Sequence, residues 1–189
     1  MFISFEGIDG SGKTTQARLL YEELRKRGRC VLTAEPTESS IGALIRDLIK
    51  KERINGTAVQ LLFTADRAVH VDSLIKPKLE QGYTVITDRY VLSTIAYGMA
   101  SGLDGEWLRA MNDVFIKPDI TFVFDVDPKE AVKRISARKG SSVYFEKLKF
   151  LTATRSAYLK LAKEYNCRVI DGSWDTETIK DEVLSIINE

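Results

Sequence analysis

A glycine-rich segment near the amino terminus constrains this chain more than any other feature. Residues 7–14 read GIDGSGKT and follow the apolar run FISF at residues 2–5, and an amphipathic segment begins at Thr14. This is the pattern G-x-x-x-x-G-K-[ST] in the strand–loop–helix setting that it requires. Glycines let such a loop curl so that its backbone N–H groups point inward, and the following helix adds its positive end. The segment therefore predicts a loop that binds nucleotide phosphates.

The rest of the chain alternates short apolar runs with long amphipathic segments. Strands are predicted at residues 2–5, 30–34, 84–87, 120–124 and 168–170. Helices are predicted at residues 14–27, 40–51, 58–81 (kinked at Pro77), 91–99, 106–115, 127–138, 144–165 and 176–187. This alternation predicts one domain over residues 1–189 with a three-layer α/β fold, a five-stranded parallel sheet flanked by helices. The small polar stretch at about residues 136–144 is predicted to be a short lid.

Composition excludes several classes of protein. The 28 Lys and Arg residues nearly balance the 27 Asp and Glu residues, and a net charge of +1 argues against a nucleic-acid partner. Cys30, Cys167 and the single histidine, His70, cannot form a Cys/His zinc site, and no motif around His70 suggests nucleophilic catalysis. No apolar run approaches the ~18 residues of a membrane span, so no membrane partner is expected. With no signal-peptide pattern, we expect a cytoplasmic protein.

A carboxylate at a strand end is needed near such a loop to hold Mg²⁺ with the Thr14 hydroxyl, while Lys13 reaches the β- and γ-phosphates. The candidates are Asp88, followed by Arg89, and Asp125 at the end of the fourth strand. Asp127 is better explained as a helix N-cap before Pro128. We favour Asp88, because Arg89 beside it supplies a fork that can bind phosphate.

Two pairs of residues indicate a second site. Phe63 and Arg67 are four residues apart on one predicted helix, and Ser93 and Tyr97 are four apart on another, so the members of each pair share a helix face. An aromatic ring beside a guanidinium suits a nucleobase, because the ring stacks and the guanidinium donates to a carbonyl. Asp9 within the loop is expected to turn from the donor phosphates toward an acceptor sugar hydroxyl.

Taken together, these motifs resemble those of the thymidylate kinase family, whose members are nucleoside monophosphate kinases of the phosphate-loop class. The resemblance runs from Phe2 to Gly172. It rests on FEGIDGSGKTT at residues 5–15, Glu35-Pro36 with Ile45-Arg46, LFTADR at residues 62–67, Asp88-Arg89-Tyr90 with Ser93 and Ala96-Tyr97, and the segment from Phe145-Glu146-Lys147 through Tyr158.

The resemblance implies transfer of the ATP γ-phosphoryl group to dTMP, with Mg²⁺ as cofactor, in a homodimer. The helix faces at residues 58–68 and 91–99 could form the dimer contact. The implied ATP-binding residues are Gly7, Ile8, Asp9, Gly10, Ser11, Gly12, Lys13, Thr14, Thr15 and Arg134. For the acceptor base, Phe63 would stack on thymine and Arg67 would bind a base carbonyl. Arg46 and Arg89 would hold the acceptor phosphate. Asp9 would contact the 3′-hydroxyl of the sugar, and Tyr97, near Ser93, would pack on the deoxyribose.

The catalytic arginine has two candidates. Where the family's phosphate loop lacks an arginine, as here with Ser11, the resemblance assigns that role to the lid, so that Arg138 and Arg134 join Lys13 and Arg89 as catalytic residues. Arg134 could instead stack on the donor adenine, whose pocket Gly172-Ser173-Trp174 would complete.

Three alternative interpretations make different demands on the sequence. One of them, a nucleotide-binding module that has lost activity, is opposed by the intact Lys13, Thr14, Asp88 and Arg89. Many family members carry Gln after the Ala-Tyr pair, where it contacts the base, and Gly98 stands at that position here. Gly98 thus favours the main alternative, another or a broader-specificity nucleoside monophosphate kinase. A GTP-dependent switch would need an Asn-Lys-x-Asp motif after a strand, and the chain contains none.

Overall fold

The computed structural model describes residues 1–50, 55–139 and 144–188. Within these residues, five parallel strands form one sheet in the order β2-β3-β1-β4-β5. The strands are β1 (Phe2–Gly7), β2 (Cys30–Ala34), β3 (Thr84–Asp88), β4 (Ile120–Asp125) and β5 (Arg168–Asp171). All five predicted strands are confirmed, each at its predicted length or slightly longer.

Helices connect the strands and cover both faces of the sheet. They are α1 (Lys13–Arg27), α2 (Ser40–Lys50), α3 (Gly56–His70), α4 (Lys76–Glu80), α5 (Val91–Ala100), α6 (Gly105–Asn112), α7 (Pro128–Lys139), α8 (Tyr144–Glu164) and α9 (Thr176–Asn188). The predicted α/β architecture with a helix layer on each side is therefore confirmed. None of the described helices is both long and apolar enough to cross a bilayer.

The two faces of the sheet have separate apolar cores. On one face, α1 and α9 cover Ile3 and Phe5 of β1. On the other face, α5 and α8 pack over Val123 of β4. Phe2 and Val85 on that face meet the segment that joins α3 to α4. Because side chains alternate along a strand, the same β1 directs Ser4 and Glu6 toward the α5 and α8 layer.

The long helix predicted at residues 58–81 is interrupted by a π-helical turn at Val71–Ile75. Pro77 has no N–H to donate to the carbonyl four residues earlier, and its ring crowds that carbonyl. The backbone widens ahead of the proline, and the N–H of Lys76 bonds to Val71 O. The predicted kink is therefore a widened turn placed just before Pro77.

Two predicted helix ends were wrong. Helix α3 begins at Gly56, two residues before the predicted start, and the Asn55 side chain caps it by accepting the Ala58 N–H at 2.8 Å. Helix α6 ends at Asn112 instead of residue 115, because the buried Asn112 side chain turns back to donate to Leu108 O at 2.8 Å. By contrast, Asp127 caps α7 as predicted, accepting the Lys129 N–H at 2.7 Å.

The sheet order brings the carboxyl ends of three strands together. Strand β1 lies in the middle, with Phe5 opposite Asp88 of β3 and Gly7 opposite Phe124 of β4. The chain leaves β1 toward β2 on one side and leaves the adjacent β3 toward β4 on the other, and ligands of open α/β sheets bind in the crevice at such a switch. The loop that follows β1 opens into this crevice.

Candidate active site

The loop between β1 and α1 has a backbone that only glycine accommodates at two of its turns. Gly10 has φ +83°, and a Cβ there would lie 2.6 Å from Ala131 O. Gly7 has φ +141°, and a Cβ there would lie 2.7 Å from Phe124 O. The loop therefore lies directly against β4 and α7, and it delivers Lys13 to the first turn of α1.

Lys13 lies inside this loop. Its side chain is buried, and Nζ donates to Ile8 O at 3.3 Å. Burial disfavours the ammonium form and nearby Arg89 adds repulsion, which together lower the pKa of Lys13 to about 8. A polyanion bound in the loop would supply the negative charge that this lysine lacks. The Ser11 hydroxyl is also buried, with no partner among the described residues.

Asp88 and Thr14 meet at the mouth of the loop. Thr14 Oγ1 donates to Asp88 Oδ2 at 2.5 Å, while the buried Asp88 Oδ1 has no partner in the described part of the chain. A hydroxyl and a carboxylate with a free oxygen are the hard oxygen donors that Mg²⁺ prefers. This pair could hold a divalent cation.

The other candidate acids are engaged elsewhere. Asp125 at the end of β4 accepts from Arg155 of α8, with Nε at 2.5 Å and Nη2 at 2.8 Å. This bidentate pair ties α8 to the sheet. Asp127 caps α7. Of the three acids considered, Asp88 is the one bonded to Thr14.

Arg89 is held at the end of β3 in a strained conformation. Its φ is +75°, which is uncommon for a residue with a side chain. The guanidinium lies 5.1 Å from the centre of the Tyr97 ring, pairs with the Asp9 carboxylate and donates to Ser93 Oγ at 3.0 Å. Nη1 also lies 3.3 Å from Gly7 O in the phosphate loop. Arg89 therefore links the loop to the residues predicted for the acceptor.

A buried carboxylate, that of Glu6, is connected to Arg89 through the Ser93 hydroxyl. Glu6 of β1 accepts from the Ser93 hydroxyl at 2.6 Å, the Tyr158 hydroxyl at 3.2 Å and the Tyr90 N–H at 2.9 Å. Burial raises the pKa of Glu6, and these hydrogen bonds and the nearby arginines oppose that rise. Glu6 belongs to the motif at residues 5–15, but no local pattern assigns it a role.

A cavity of about 610 Å³ opens beside Arg89. It brings together the predicted acceptor residues Asp9, Phe63, Arg67, Arg89, Ser93 and Tyr97. Burial raises the pKa of Tyr97 to about 12, so its hydroxyl stays protonated near neutral pH. The volume lies within the range of small-molecule sites, which usually combine apolar walls with a few convergent polar groups.

Arg67 is buried and bonded in this cavity. Its Nε and Nη2 donate to Glu35 Oε2 at 3.0 and 2.6 Å. Nη2 also reaches Tyr90 O at 2.9 Å and Thr94 Oγ1 at 3.0 Å, and Nη1 bonds to Asn112 Oδ1. The described residues provide Nη1 with one acceptor for its two hydrogens, which leaves one donor for a ligand.

Arg46 does not line this cavity in the structure. It is exposed, and its Nη1 donates to Pro36 O at 3.0 Å and Thr37 O at 2.7 Å. Nη2 pairs with Glu38 at 3.1 Å. The side chain thus braces the loop that follows β2.

Arg134 lies on the side of the phosphate loop that faces away from the acceptor cavity. Its Nη1 reaches Gly172 O at 3.2 Å and Gly10 O at 3.4 Å, and its Nε donates to Glu130 at 3.2 Å. It is thus close to the loop after β5, where Gly172-Ser173-Trp174 was predicted to bind adenine. Arg138 belongs to α7, but its side chain lies outside the described part of the structure, as do residues 140–143 of the predicted lid.

Gln60, Thr94, Glu35 and Phe150 are among the lining residues of the cavity that had no predicted role. Gln60 is one turn before Phe63 on α3, so the helical spacing could have identified it. Thr94 is adjacent to Ser93 and bonds Arg67 directly. Glu35 and Phe150 come from the loop after β2 and from α8, and no local pattern relates them to α3.

Gly98 faces away from the acceptor residues. A Cβ at this position would lie 2.6 and 2.8 Å from the two methyl carbons of Leu108 on α6. A side chain at residue 98 would therefore start toward α6. The packing of α5 on α6 explains why glycine stands at residue 98 where many family members have glutamine.

A phosphate loop on a parallel sheet, with an adjacent cavity lined by arginines and aromatic rings, defines a phosphate-loop nucleotide kinase. The family model described as thymidylate kinase matches residues 5–183. A probable thymidylate kinase of Thermococcus kodakarensis is 45% identical over 198 residues, covering 99% of this chain and 97% of that protein. Its counterpart from Sulfurisphaera tokodaii is 44% identical over 189 residues, covering 98% and 95%.

A solved structure agrees with these matches. The crystal structure of thymidylate kinase from Ehrlichia chaffeensis aligns with a TM-score of 0.82 and 35% identity over 100% of this chain and 98% of that one. The chain belongs to the thymidylate kinase family. It is a nucleoside monophosphate kinase that uses ATP to phosphorylate dTMP.

Proposed function

We propose that the two substrates bind on the two sides of Arg89. ATP occupies the phosphate loop with its adenine near Arg134, and dTMP occupies the cavity with its phosphate at Arg89. The observation that carries this assignment is the position of Arg89, which lines the cavity while its Nη1 lies 3.3 Å from Gly7 O in the loop. One guanidinium can thus face both phosphate groups.

On the donor side, the loop backbone from Gly7 to Thr15 binds the polyphosphate. Ile8, Gly10 and Gly12 would supply inward N–H groups, and Lys13 supplies a charge at the β- and γ-phosphates. The Asp9 N–H instead donates to the Tyr97 hydroxyl at 3.1 Å, and the Ser11 N–H donates to Ile8 O at 3.2 Å, so Ser11 would contribute its buried hydroxyl. Arg134 lies beside Gly172, and its planar guanidinium suits stacking on adenine.

The residues present fit a magnesium ion. Thr14 and Asp88 would hold it, since the pair is already in contact and Asp88 Oδ1 lacks a partner among the described residues. When bound, the ion would neutralise charge on the donor phosphates and orient them.

On the acceptor side, all of the predicted residues except Arg46 line the cavity. Phe63 stacks on thymine, and the remaining Nη1 hydrogen of Arg67 donates to a base carbonyl. Asp9, paired with Arg89, is placed for the 3′-hydroxyl of the sugar. Tyr97 packs on the deoxyribose near Ser93 and disfavours a 2′-hydroxyl. Arg46 joins Arg89 on the phosphate after leaving the Pro36 and Thr37 carbonyls.

The reaction is an in-line displacement at the γ-phosphorus. An oxygen of the dTMP phosphate forms the new P–O bond, and the bond to the bridging β–γ oxygen breaks, so that ADP leaves with the electron pair. The acceptor oxygen is already anionic near pH 7, and no general base is required. The protein's task is to bring two polyanions together, which Lys13, Arg46 and Arg89 make possible by supplying positive charge.

A further arginine on α7 completes this charge balance. Arg138 and Arg134 are the candidates, and the contacts of Arg134 with Gly10 O and Gly172 O favour an adenine role for it. Arg138 is then the proposed catalytic arginine.

We also propose that the enzyme is a homodimer that works in the cytoplasm, where ATP is available to it. Leu44 of α2 and Leu61 and Val69 of α3 are about half exposed, and they are the apolar side chains that we propose for the contact. On α5, which was also predicted to contribute, Leu92, Ile95 and Ala96 lie in the core. Sedimentation of the wild-type enzyme should give twice the mass of one chain, and the Leu61→Glu variant should sediment with the mass of a single chain.

The assignment of the acceptor is tested by measuring ADP formation from Mg·ATP with dTMP, dUMP, UMP, CMP, AMP and dGMP. We expect kcat/KM to be highest for dTMP by about tenfold or more, equivalent to about 1.4 kcal/mol. Similar values for several monophosphates would contradict the proposed base contacts and indicate a broader-specificity kinase.

A further inference from the structure

A row of buried polar side chains leads away from the acceptor cavity into the interior. Glu35 Oε2 accepts from Arg67, and Glu35 Oε1 lies 3.0 Å from Nδ1 of His70. Nε2 of His70 lies 2.8 Å from Thr33 Oγ1 on β2. Arg67, Glu35 and His70 are each no more than 4% exposed. His70 is the single histidine of the chain and has no role in the assignments above.

The hydrogen-bond partners determine which nitrogen of His70 carries the proton. A carboxylate accepts hydrogen bonds and cannot donate them, so Nδ1 must carry the hydrogen that points at Glu35. The hydroxyl of Thr33 can then donate to an unprotonated Nε2. In this arrangement both ring nitrogens are satisfied by a neutral imidazole.

Charge balance favours the same arrangement. Glu35 and Arg67 already form a buried pair of opposite charge, with Arg67 Nη2 at 2.6 Å from Glu35 Oε2. A neutral His70 ring leaves this pair balanced, and it donates to Glu35 Oε1 while Oε2 remains with Arg67.

This chain of bonds fixes the carboxylate that holds Arg67. Glu35 follows β2 directly, and its carboxylate is fastened at both oxygens, by His70 on one side and by Arg67 on the other. Without the bond from His70, the carboxylate could rotate and carry the guanidinium with it. A shift of less than 1 Å at a positioned group is enough to weaken a substrate contact.

We propose that His70 is a positioning residue for the acceptor base. Held by Thr33 as the Nδ1–H tautomer, it orients Glu35, which orients Arg67 in the acceptor cavity. The proposal rests on the assignment of the cavity to dTMP, and it deepens that assignment by adding a specificity device that touches no substrate.

The variants His70→Asn, His70→Leu and Thr33→Val test this proposal. Asparagine can place an amide N–H near the position of Nδ1, whereas leucine cannot donate to Glu35. We expect His70→Leu to raise KM for dTMP about tenfold with KM for ATP changed less than twofold, and His70→Asn to recover most of the loss.

Thr33→Val should raise KM for dTMP about threefold. Thr121→Val is its matched control, because Thr121 bonds to Ser4 on neighbouring β1 at 2.8 Å and does not contact Arg67.

Nitrogen NMR of the wild-type ring supplies a test that does not depend on variants. Since the chain has one histidine, its imidazole gives a single set of signals. We expect a protonated Nδ1, an unprotonated Nε2, and a shift of both signals on adding dTMP but not on adding ADP. An Nε2–H tautomer would overturn the proposal. So would equal rises of both KM values in folded His70→Leu, or, if that variant does not fold, in His70→Asn and Thr33→Val.

These results are separable from failure of the assigned function. If dTMP were not the preferred acceptor, the wild-type panel would show it before any variant is made, while the tautomer could still be as expected. If the panel favours dTMP and the His70 variants leave its KM unchanged, the role of His70 alone is wrong.

Discussion

Thr14 Oγ1 donates to Asp88 Oδ2 at 2.5 Å, which joins the first turn of α1 to the end of β3. The two residues are 74 positions apart and meet because β3 is the parallel neighbour of β1, with Asp88 opposite Phe5. The second oxygen of Asp88 has no partner among the described residues. The sheet order thus places a hydroxyl and a carboxylate where the donor phosphates would meet a cation.

Asp88→Asn should therefore impair the use of Mg²⁺. The amide keeps the size of the side chain and an acceptor for Thr14, but it removes the charge. We expect kcat to fall on the order of 100-fold, as for other losses of charge stabilisation at a transition state, and the Mg²⁺ concentration for half-maximal rate to rise. Steady-state rates across an Mg²⁺ titration provide the measurement. Asp72→Asn, which is exposed and paired with Lys76, should behave as wild type. An unchanged Mg²⁺ dependence in Asp88→Asn would remove Asp88 from the cation site.

Phe63→Leu should weaken dTMP selectively. The side chain lines the acceptor cavity, whereas the ATP phosphates are assigned to the loop. Loss of ring stacking costs about 0.5–1.5 kcal/mol, so we expect KM for dTMP to rise about three- to tenfold with little change in KM for ATP. Thr57→Ala, at an exposed position in the first turn of the same helix and outside the cavity lining, serves as the control for effects on α3. Equal increases in both KM values would show that residue 63 supports the fold rather than the base.

The sequence was sufficient to predict the sheet and the loop after β1, because these depend on local patterns. Residues 7–14 are contiguous, and Phe63 with Arg67 share one helix face. The residues named for the acceptor, apart from Arg46, line one cavity, and their roles toward dTMP stay predictions. The partners of Arg67 could not be predicted in this way. Glu35, Asn112 and Thr94 come from three other segments, and their meeting depends on how α3, α5 and α6 pack. Arg46 also shows this limit, since its bonds to Pro36 O and Thr37 O depend on the shape of a loop.

ATP binding should take up a proton at Lys13. Burial and Arg89 lower the pKa of this lysine to about 8 in the free enzyme. Bound phosphates favour the ammonium form and raise that pKa again. At pH 8 about half of the free enzyme lacks the proton, so binding should take up about half a proton per site, and almost none near pH 6.5. Above pH 8, affinity for ATP should fall with rising pH, because the neutral form must first be protonated.

Calorimetric titration of ATP in two buffers of different ionisation enthalpy measures this uptake. Phosphate groups with second pKa values near ~6 are already ionised at pH 8 and contribute little. Lys26→Met, at the exposed end of α1, should show the wild-type uptake. Equal heats in the two buffers at pH 8 would contradict the lowered pKa of Lys13.

Gly98→Ala should cost stability without changing substrate choice. A Cβ at residue 98 would lie 2.6 and 2.8 Å from the methyl carbons of Leu108, a fully buried residue of α6. Overpacking of this kind costs about 1–3 kcal/mol, and at this chain length each kcal/mol lowers Tm by about 2–4 °C.

Leu108→Ala alone should also destabilise, by about 2–5 kcal/mol, because it opens a cavity. The double variant should lose less than the sum of the two, since the new methyl group occupies part of the space that Leu108 vacates. Thermal melts of the four proteins give this coupling energy, and the panel of monophosphates should give the same order for all of them. A change in the ratio of dTMP to dUMP turnover in Gly98→Ala would show instead that this position acts on the base.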